Sequence, residues 1–288
     1  MKIVRSLPDL KAARRIMPGS LGFVPTMGYL HEGHLSLVRR ARAENDHIAV
    51  SIFVNPTQFL PNEDFKTYPR DEGRDLALLE KEAADLVFLP EVRDMYPDGH
   101  GTFVNVEGLS SVLEGSRRPG HFRGVATVVA KLFNLAEPTR AYFGQKDAQQ
   151  VLVLKKMVAD LNMNLEIIVC PTIREETGLA MSSRNVYLTP EERSHAGIIP
   201  QALFAARELL LAGERNGDSL RRRMRQIIET VPGVRIDYVS VADPETLVEL
   251  EQVTKTALAS LAVNFGPIRL IDNIILDGLK NSTSSYKA

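Results

Sequence analysis

The chain has 288 residues, a net charge of -1, 44% hydrophobic and 25% charged residues, the composition of one large globular domain or two ordinary ones. A charge this balanced excludes a global field that would draw nucleic acid or an anionic membrane. One cysteine, Cys170, excludes a disulfide framework within the chain and paired CxxC zinc sites, and suits a reducing cytoplasm.

The amino-terminal run Met1–Leu10 (MKIVRSLPDL) has no apolar h-region and so does not read as a signal peptide. No stretch reaches the ~18 apolar residues of a membrane span, and the chain is expected to be cytoplasmic, with no membrane and no nucleic acid among its partners. Residues 7–16 read as a helix. Leu21–Pro25 reads as a buried strand, and the segment from about Gly33 to Asn45 as a helix with Leu35, Val38 and Ala41 on one face. Ile48–Val54 and Leu86–Leu89 are strands around a helix over 70–84. Gly124–Ala136 and Ala148–Leu161 are helices, and Ala141–Phe143 and Leu165–Cys170 strands. Short strands alternating with longer helices predict βαβ units: an α/β, Rossmann-like parallel sheet with helices on both faces.

From residue 173 the texture changes. Pro190–Leu211 and Leu220–Thr230 read as helices, and Arg235–Val241, Lys255–Val263 and Arg269–Leu276 as strands. The spacing predicts two domains: 1–172, holding the ligands, and 173–288, a smaller C-terminal α+β lid. The basic run Arg221-Arg222-Arg223-Met224-Arg225 reads as a solvated helix face. The polar tail 281–288 is expected to fray.

Polar motifs follow the strands. His31-Glu32-Gly33-His34 comes where the strand at 21–25 turns into a helix, whose free N–H groups and dipole favour an anion. Positions i and i+3 share a helix face, so both imidazoles can point at one phosphate chain, and Gly33 allows its close approach. Asn55-Pro56-Thr57-Gln58 follows the next strand and Gly144-Gln145-Lys146-Asp147 a later one; Met181-Ser182-Ser183-Arg184-Asn185 comes shortly after 165–170. In parallel sheets ligands bind beyond the carboxyl ends of the strands, at the switch point. Lys146 offers a point charge and Arg184 a bidentate fork to phosphate. Gln58 and Gln150 are neutral groups able to hold a small hydroxy acid. No P-loop and no G-x-G-x-x-G occurs, against a P-loop kinase and a dinucleotide oxidoreductase. Taken alone, each motif also suits a structural role.

The pair His31–His34 and Met181–Arg184 resembles the signature of the HIGH nucleotidyltransferase superfamily. Longer strings narrow it: Pro25–His34 (PTMGYLHEGH), Ser51–Phe59 (SIFVNPTQF), Tyr142–Gln150 (YFGQKDAQQ) and Gly178–Asn185 (GLAMSSRN) are similar to those of the pantothenate synthetase (pantoate–beta-alanine ligase) family over essentially the whole chain. That resemblance implies an AMP-forming ligase of coenzyme A precursor biosynthesis. ATP would adenylate pantoate with loss of pyrophosphate, and beta-alanine would displace AMP to form pantothenate.

Carried over by motif, Met27, Gly28, His31 and His34 would line the ATP phosphates, and Gly144, Lys146 and Asp147 the ribose and phosphate. Ile173 would meet the adenine through its backbone. Met181, Ser182, Ser183 and Arg184 would close over the triphosphate. The catalytic set would be His34, His31, Lys146 and Arg184, while Asn55, Gln58 and Gln150 would hold pantoate. Mg2+ would accompany ATP, its protein ligands open apart from an outer contact from Asp71 or Asp75, with no tightly bound organic cofactor. The resemblance also implies a homodimer, and a mobile flap at 113–124. Thr57 stands where the family commonly has Met, a departure expected to alter packing rather than chemistry. Competing readings are another HIGH-type nucleotidyltransferase and a nucleotide-binding module without turnover.

Overall fold

The computed structural model describes residues 1–277, so the 281–288 tail lies outside the described residues. The chain divides into two compact units. The first holds residues 1–173 and Met181–Ser183; the second holds Arg174–Ala180 and the chain from Arg184 onward.

In the first unit the strands are β1 (Lys2–Val4), β2 (Leu21–Thr26), β3 (His47–Ile52), β4 (Leu86–Phe88), β5 (Arg140–Gly144) and β6 (Glu166–Cys170). Among the described residues they form a six-stranded sheet of order β1-β4-β3-β2-β5-β6, every pair parallel. The helices are α1 (Leu7–Arg15), α2 (Glu32–Glu44), α3 (Glu72–Lys81), α4 (Val92–Met95), α5 (Leu113–Arg117), α6 (His121–Ala136) and α7 (Ala148–Asp160).

Successive strand residues point to opposite faces, and here both faces are covered. Phe23 packs in one cluster with Leu10 of α1, Phe133 of α6 and Leu154 of α7. Val24 packs in another with Val38 of α2 and Leu79 of α3. Double-sided burial is why these strands read as unbroken apolar runs. The order reverses between β2 and β5, which are neighbours in the sheet although far apart in the chain. Their carboxyl ends flank the crevice where such sheets take ligands.

The second unit contains α8 (Pro190–Ala196), α9 (Ile198–Leu211), α10 (Gly217–Ile228) and β7 (Val234–Ala242), β8 (Thr256–Phe265) and β9 (Ile268–Asp277). The strands make an antiparallel meander. Ala259, Leu261 and Val263 of β8 share a cluster with Leu203 of α9 and Leu220 and Met224 of α10. Among the described residues no helix is long and apolar enough to cross a membrane.

The parallel sheet follows the alternation read from the sequence. Three local differences have physical causes. The strand β1 is three residues long, too short to carry a period. The single helix expected over 190–211 is broken at Gly197. Pro200 lacks an N–H and would clash with the carbonyl four residues before it in a continuous helix; the break places it in the first turn of α9. The Arg run on α10 is partly ion-paired, Arg221 bonding Asp218 and Glu249.

Candidate active site

The chain leaves β2 through a tight turn in which Gly28 and Tyr29 both have positive φ, 81° and 50°. Left-handed backbone at a tyrosine needs compensation. The compensating group is the carboxylate of Asp75 on α3, 1% exposed. Its two oxygens accept the N–H groups of Tyr29 and Leu30, each at 2.7 Å. Thr26 Oγ1 accepts the Gly28 N–H at 3.1 Å. This turn delivers His31 to the N-cap of α2.

There His31 Nδ1 accepts the Gly33 N–H at 3.1 Å, and His34 Nδ1 accepts the His31 N–H at 3.3 Å. The two imidazoles thus form a reciprocal cap of the kind Ser and Glu usually make, with ring centroids 4.1 Å apart. Glycine leaves room for the first ring: a Cβ on Gly33 would lie 2.9 Å from two atoms of the His31 ring and force it to shift. Burial, then His31, then Lys146 hold the His34 pKa well below the usual histidine value. His34 is therefore neutral at pH 7. With Nδ1 accepting, its proton sits on Nε2, which makes it a hydrogen-bond donor rather than an acid.

Lys146 follows β5 in a 3-10 turn over Gln145–Asp147 and pairs with Asp147 at 3.6 Å. Its positive charge is one of the causes that lower the His34 pKa, and it lies past the carboxyl end of β5, the strand beside β2. Met181 rejoins this unit by donating its N–H to Ile173 O at 2.9 Å. Its Cβ would lie 3.7 Å from one added to Gly33. Ser183 Oγ donates to Tyr29 O at 3.2 Å. One carbonyl lone pair of Ile173 is thereby engaged with Met181.

After β3, Asn55 caps a 3-10 turn over Pro56–Gln58 and is 1% exposed. Its Nδ2 donates to Gln58 Oε1 at 3.0 Å and Gly124 O at 3.2 Å. Gln58 Nε2 donates to Met27 Sδ at 3.1 Å. The Asn55–Gln58 turn is thus linked to the turn after β2. Helix α6 crosses so close that a Cβ on Gly124 would lie 2.3 Å from Thr57 O. Gln150 stands partly buried on the first turn of α7. The neighbouring Gln149 faces elsewhere: its amide bonds Leu109 O, Val112 O and the Glu114 N–H.

The first unit therefore brings together Met27, Gly28, His31, His34, Asn55, Gln58, Lys146, Ile173 and Met181–Ser183. Arg184 belongs to the second unit. Residues 113–124, expected as a flap, form α5 and the start of α6. Arg118 binds Glu63 and Gln58 O, and His121 Nδ1 donates to Gln58 O at 2.7 Å. Thr57 does more than fill space, since its hydroxyl donates to Asn55 Oδ1 at 2.9 Å. The roles of Asp75, Arg118 and His121 on this backbone escape sequence reading, because their partners lie 45, 60 and 63 residues away. The only local hint was charge: Asp75 sits on the buried face of an otherwise amphipathic helix.

A family model described as pantoate-beta-alanine ligase matches residues 2–275. A pantothenate synthetase of Roseiflexus sp. (strain RS-1) is 62% identical over 277 residues, 96% of this chain and all of that protein. The crystal structure of pantothenate synthetase from Thermus thermophilus superposes with a TM-score of 0.92 at 50% identity, covering 95% of this chain and 99% of that one. The Francisella tularensis pantoate-beta-alanine ligase, solved with beta-gamma ATP and beta-alanine, gives 0.78 at 37% identity over 96% of this chain and 97% of its own.

Proposed function

The chain belongs to the pantoate-beta-alanine ligase family, and from that premise we propose how its residues carry the reaction. It is an ATP-dependent ligase that joins pantoate to beta-alanine through a pantoyl adenylate. A pantoate carboxylate oxygen bonds to the α-phosphorus of ATP as the bond to the bridging oxygen breaks and pyrophosphate leaves. The beta-alanine nitrogen then attacks the acyl carbon, loses a proton, and AMP departs with the bond electrons.

The observation that carries the residue assignment is the convergence, beside the β2/β5 switch point, of a neutral His34 donor, His31, Lys146 and the Met181–Ser183 segment. Displacement at phosphorus asks for positioning and charge stabilisation more than covalent help. His34 Nε2–H and Lys146 donate to the phosphate oxygens that gain charge. His31, Met27, Gly28, Ser182 and Ser183 line the triphosphate, and Arg184 adds a bidentate donor by its place in the same string. Gly144 and Asp147 take the ribose, and the Ile173 backbone takes the adenine. Gln58 and Gln150 hold pantoate, while Asn55 orients Gln58.

Mg2+ accompanies the triphosphate. Among the described residues no group of three His, Cys, Asp or Glu could hold a metal, and both Asp75 oxygens already accept N–H groups. That donor set fits a hard cation carried mainly by phosphate and water, with Asp71 or Asp75 reached through water. When bound, the ion would neutralise phosphate charge. The chain works as a homodimer in the reducing cytoplasm, in keeping with the free, buried Cys170.

The test is pyrophosphate–ATP exchange with Mg2+, without beta-alanine. Exchange that requires pantoate is the expected result. ATP binding without exchange would sink this reading in favour of a nucleotide-binding module.

A further inference from the structure

Gln58 can meet a ligand with either end of its amide, and the two ends are chemically opposite. An N–H end attracts a carboxylate or hydroxyl oxygen, whereas a carbonyl end repels a carboxylate. The orientation of the neighbouring Asn55 decides which end is offered, because Asn55 Nδ2 donates to Gln58 Oε1 at 3.0 Å. With Oε1 held there, Gln58 presents Nε2. One of its protons points to Met27 Sδ at 3.1 Å, a weak acceptor, and the second remains to be given to substrate.

What holds Asn55 this way round is a set of donors on its oxygen. The Thr57 N–H reaches Asn55 Oδ1 at 3.3 Å, a long contact. Two hydroxyls come closer: Tyr96 Oη at 2.8 Å and Thr57 Oγ1 at 2.9 Å. Those hydroxyls also touch one another at 3.2 Å. Whether the Thr57 proton goes to Tyr96 or directly to Asn55, the Tyr96 proton ends on Oδ1. On the other side Gly124 O accepts from Nδ2 at 3.2 Å. The backbone thus sets the preferred orientation through two long bonds, and the hydroxyls supply the short ones.

We propose that Tyr96 and Thr57 are positioning residues: their hydroxyls lock the Asn55 amide, and through it fix the Gln58 amide with its N–H end toward the acid substrate. The proposal rests on the reading of Gln58 as a pantoate residue. Neither Tyr96 nor Thr57 reaches the reacting atoms in this role. They act on specificity by excluding the flipped state, in which the site would offer oxygen to oxygen.

The variants are Tyr96→Phe, Thr57→Val, Thr57→Ser and Tyr96→Phe/Thr57→Val. Side-chain amide hydrogen exchange of Asn55, its signals identified by their absence in Asn55→Ala, reads the lock without any substrate. The KM for pantoate and for ATP in pyrophosphate–ATP exchange reads its consequence. Tyr96→Phe should raise the pantoate KM about 3- to 10-fold, the size of one neutral hydrogen bond. The double variant should raise it at least about 10-fold and accelerate Asn55 amide exchange by a similar factor, since neighbouring deletions couple. The ATP KM should stay within about twofold, and Thr57→Ser should behave as the parent. Unchanged Asn55 exchange in the double variant, or pantoate and ATP KM rising together, would overturn the lock. A parent enzyme with no pantoate-dependent exchange would instead overturn the assignment of the substrate. In that event Asn55 exchange by itself still decides whether the hydroxyls lock the amide.

Discussion

Each unit buries a carboxylate almost completely, and the two do different work. In the first unit Asp75, 1% exposed, accepts two backbone N–H groups of the turn that precedes His31. In the second, Asp272, 2% exposed, takes both guanidinium nitrogens of Arg174, at 2.6 and 3.1 Å. Asp75 accepts two fixed dipoles and has the Arg74 guanidinium at 3.6 Å, too far for a hydrogen bond, and burial raises its pKa from the ordinary carboxylate value. Asp272 binds its cation directly, and its Oδ1 also accepts the Asn273 N–H at 2.8 Å. A carboxylate spent on backbone dipoles shapes a ligand turn; one spent on a cation joins two segments of chain. Losing the first should show in turnover, and losing the second in stability.

The largest effect is expected at Asp272. Asp272→Ala leaves the Arg174 guanidinium, its side chain 20% exposed, without its counter-ion, and the loss should approach the ~3–5 kcal/mol of a fully buried pair. Urea unfolding at pH 7 should record that loss. A stability within about 1 kcal/mol of the parent would erase the contrast between the two carboxylates.

Next comes the group that the Asp75 turn delivers. His34→Ala should lower kcat about a hundred- to a thousandfold, the usual consequence of deleting one well-placed donor, with a stability loss of about 0.5–2 kcal/mol from the broken helix cap. Because His34 is neutral already, the rate should show no limb near pH 6.5 belonging to it; a limb there that vanishes in the variant would show it working as an acid.

Asp75→Asn keeps the shape but puts an amide donor against one of two N–H groups. Loosening the turn by even 1 Å should cost about 100-fold in kcat, against a stability loss of about 1–3 kcal/mol for the orphaned donor. Equal stability losses at Asp75 and Asp272, with turnover intact in both, would refute the division of labour.

The smallest effect is a pH slope. Burial first, then Arg118, lowers His121 from 6.5 to about 4. Its Nδ1 donates to Gln58 O while Nε2 faces Arg118, so a second proton has no acceptor. Below pH 6.5 the unfolded chain takes up the proton first, and the folded state loses stability as the pH falls toward 4. Between pH 7 and 5 that amounts to about 2 kcal/mol, with His34 acting in the same direction. Unfolding of the parent and of His121→Asn at the two pH values should differ by this amount; parallel behaviour would remove His121 from the balance.

Much of this was legible in one dimension. The apolar runs at 21–25 and 48–54 announced buried strands, and their alternation with helices announced a parallel sheet. The His31–His34 spacing announced a helix start suited to phosphate. Illegible were the partners reached across space. Nothing around Asp75 says that its oxygens close on Tyr29 and Leu30, and nothing around Tyr96 says that it meets Asn55, 41 residues earlier. The break at Gly197 was readable from Pro200 and is a matter of local sterics.

The sequence by itself determined most of the elements, their two-sided burial and the chemical types offered at the strand ends, because these depend on periodicity and on residues adjacent in the chain. Only the tertiary structure decided the protonation of His34, the left-handed turn held by Asp75 and the direction in which the Gln58 amide points. Those depend on burial and on donors and acceptors brought within about 3 Å of each other by packing, and no spacing along the chain encodes such a meeting.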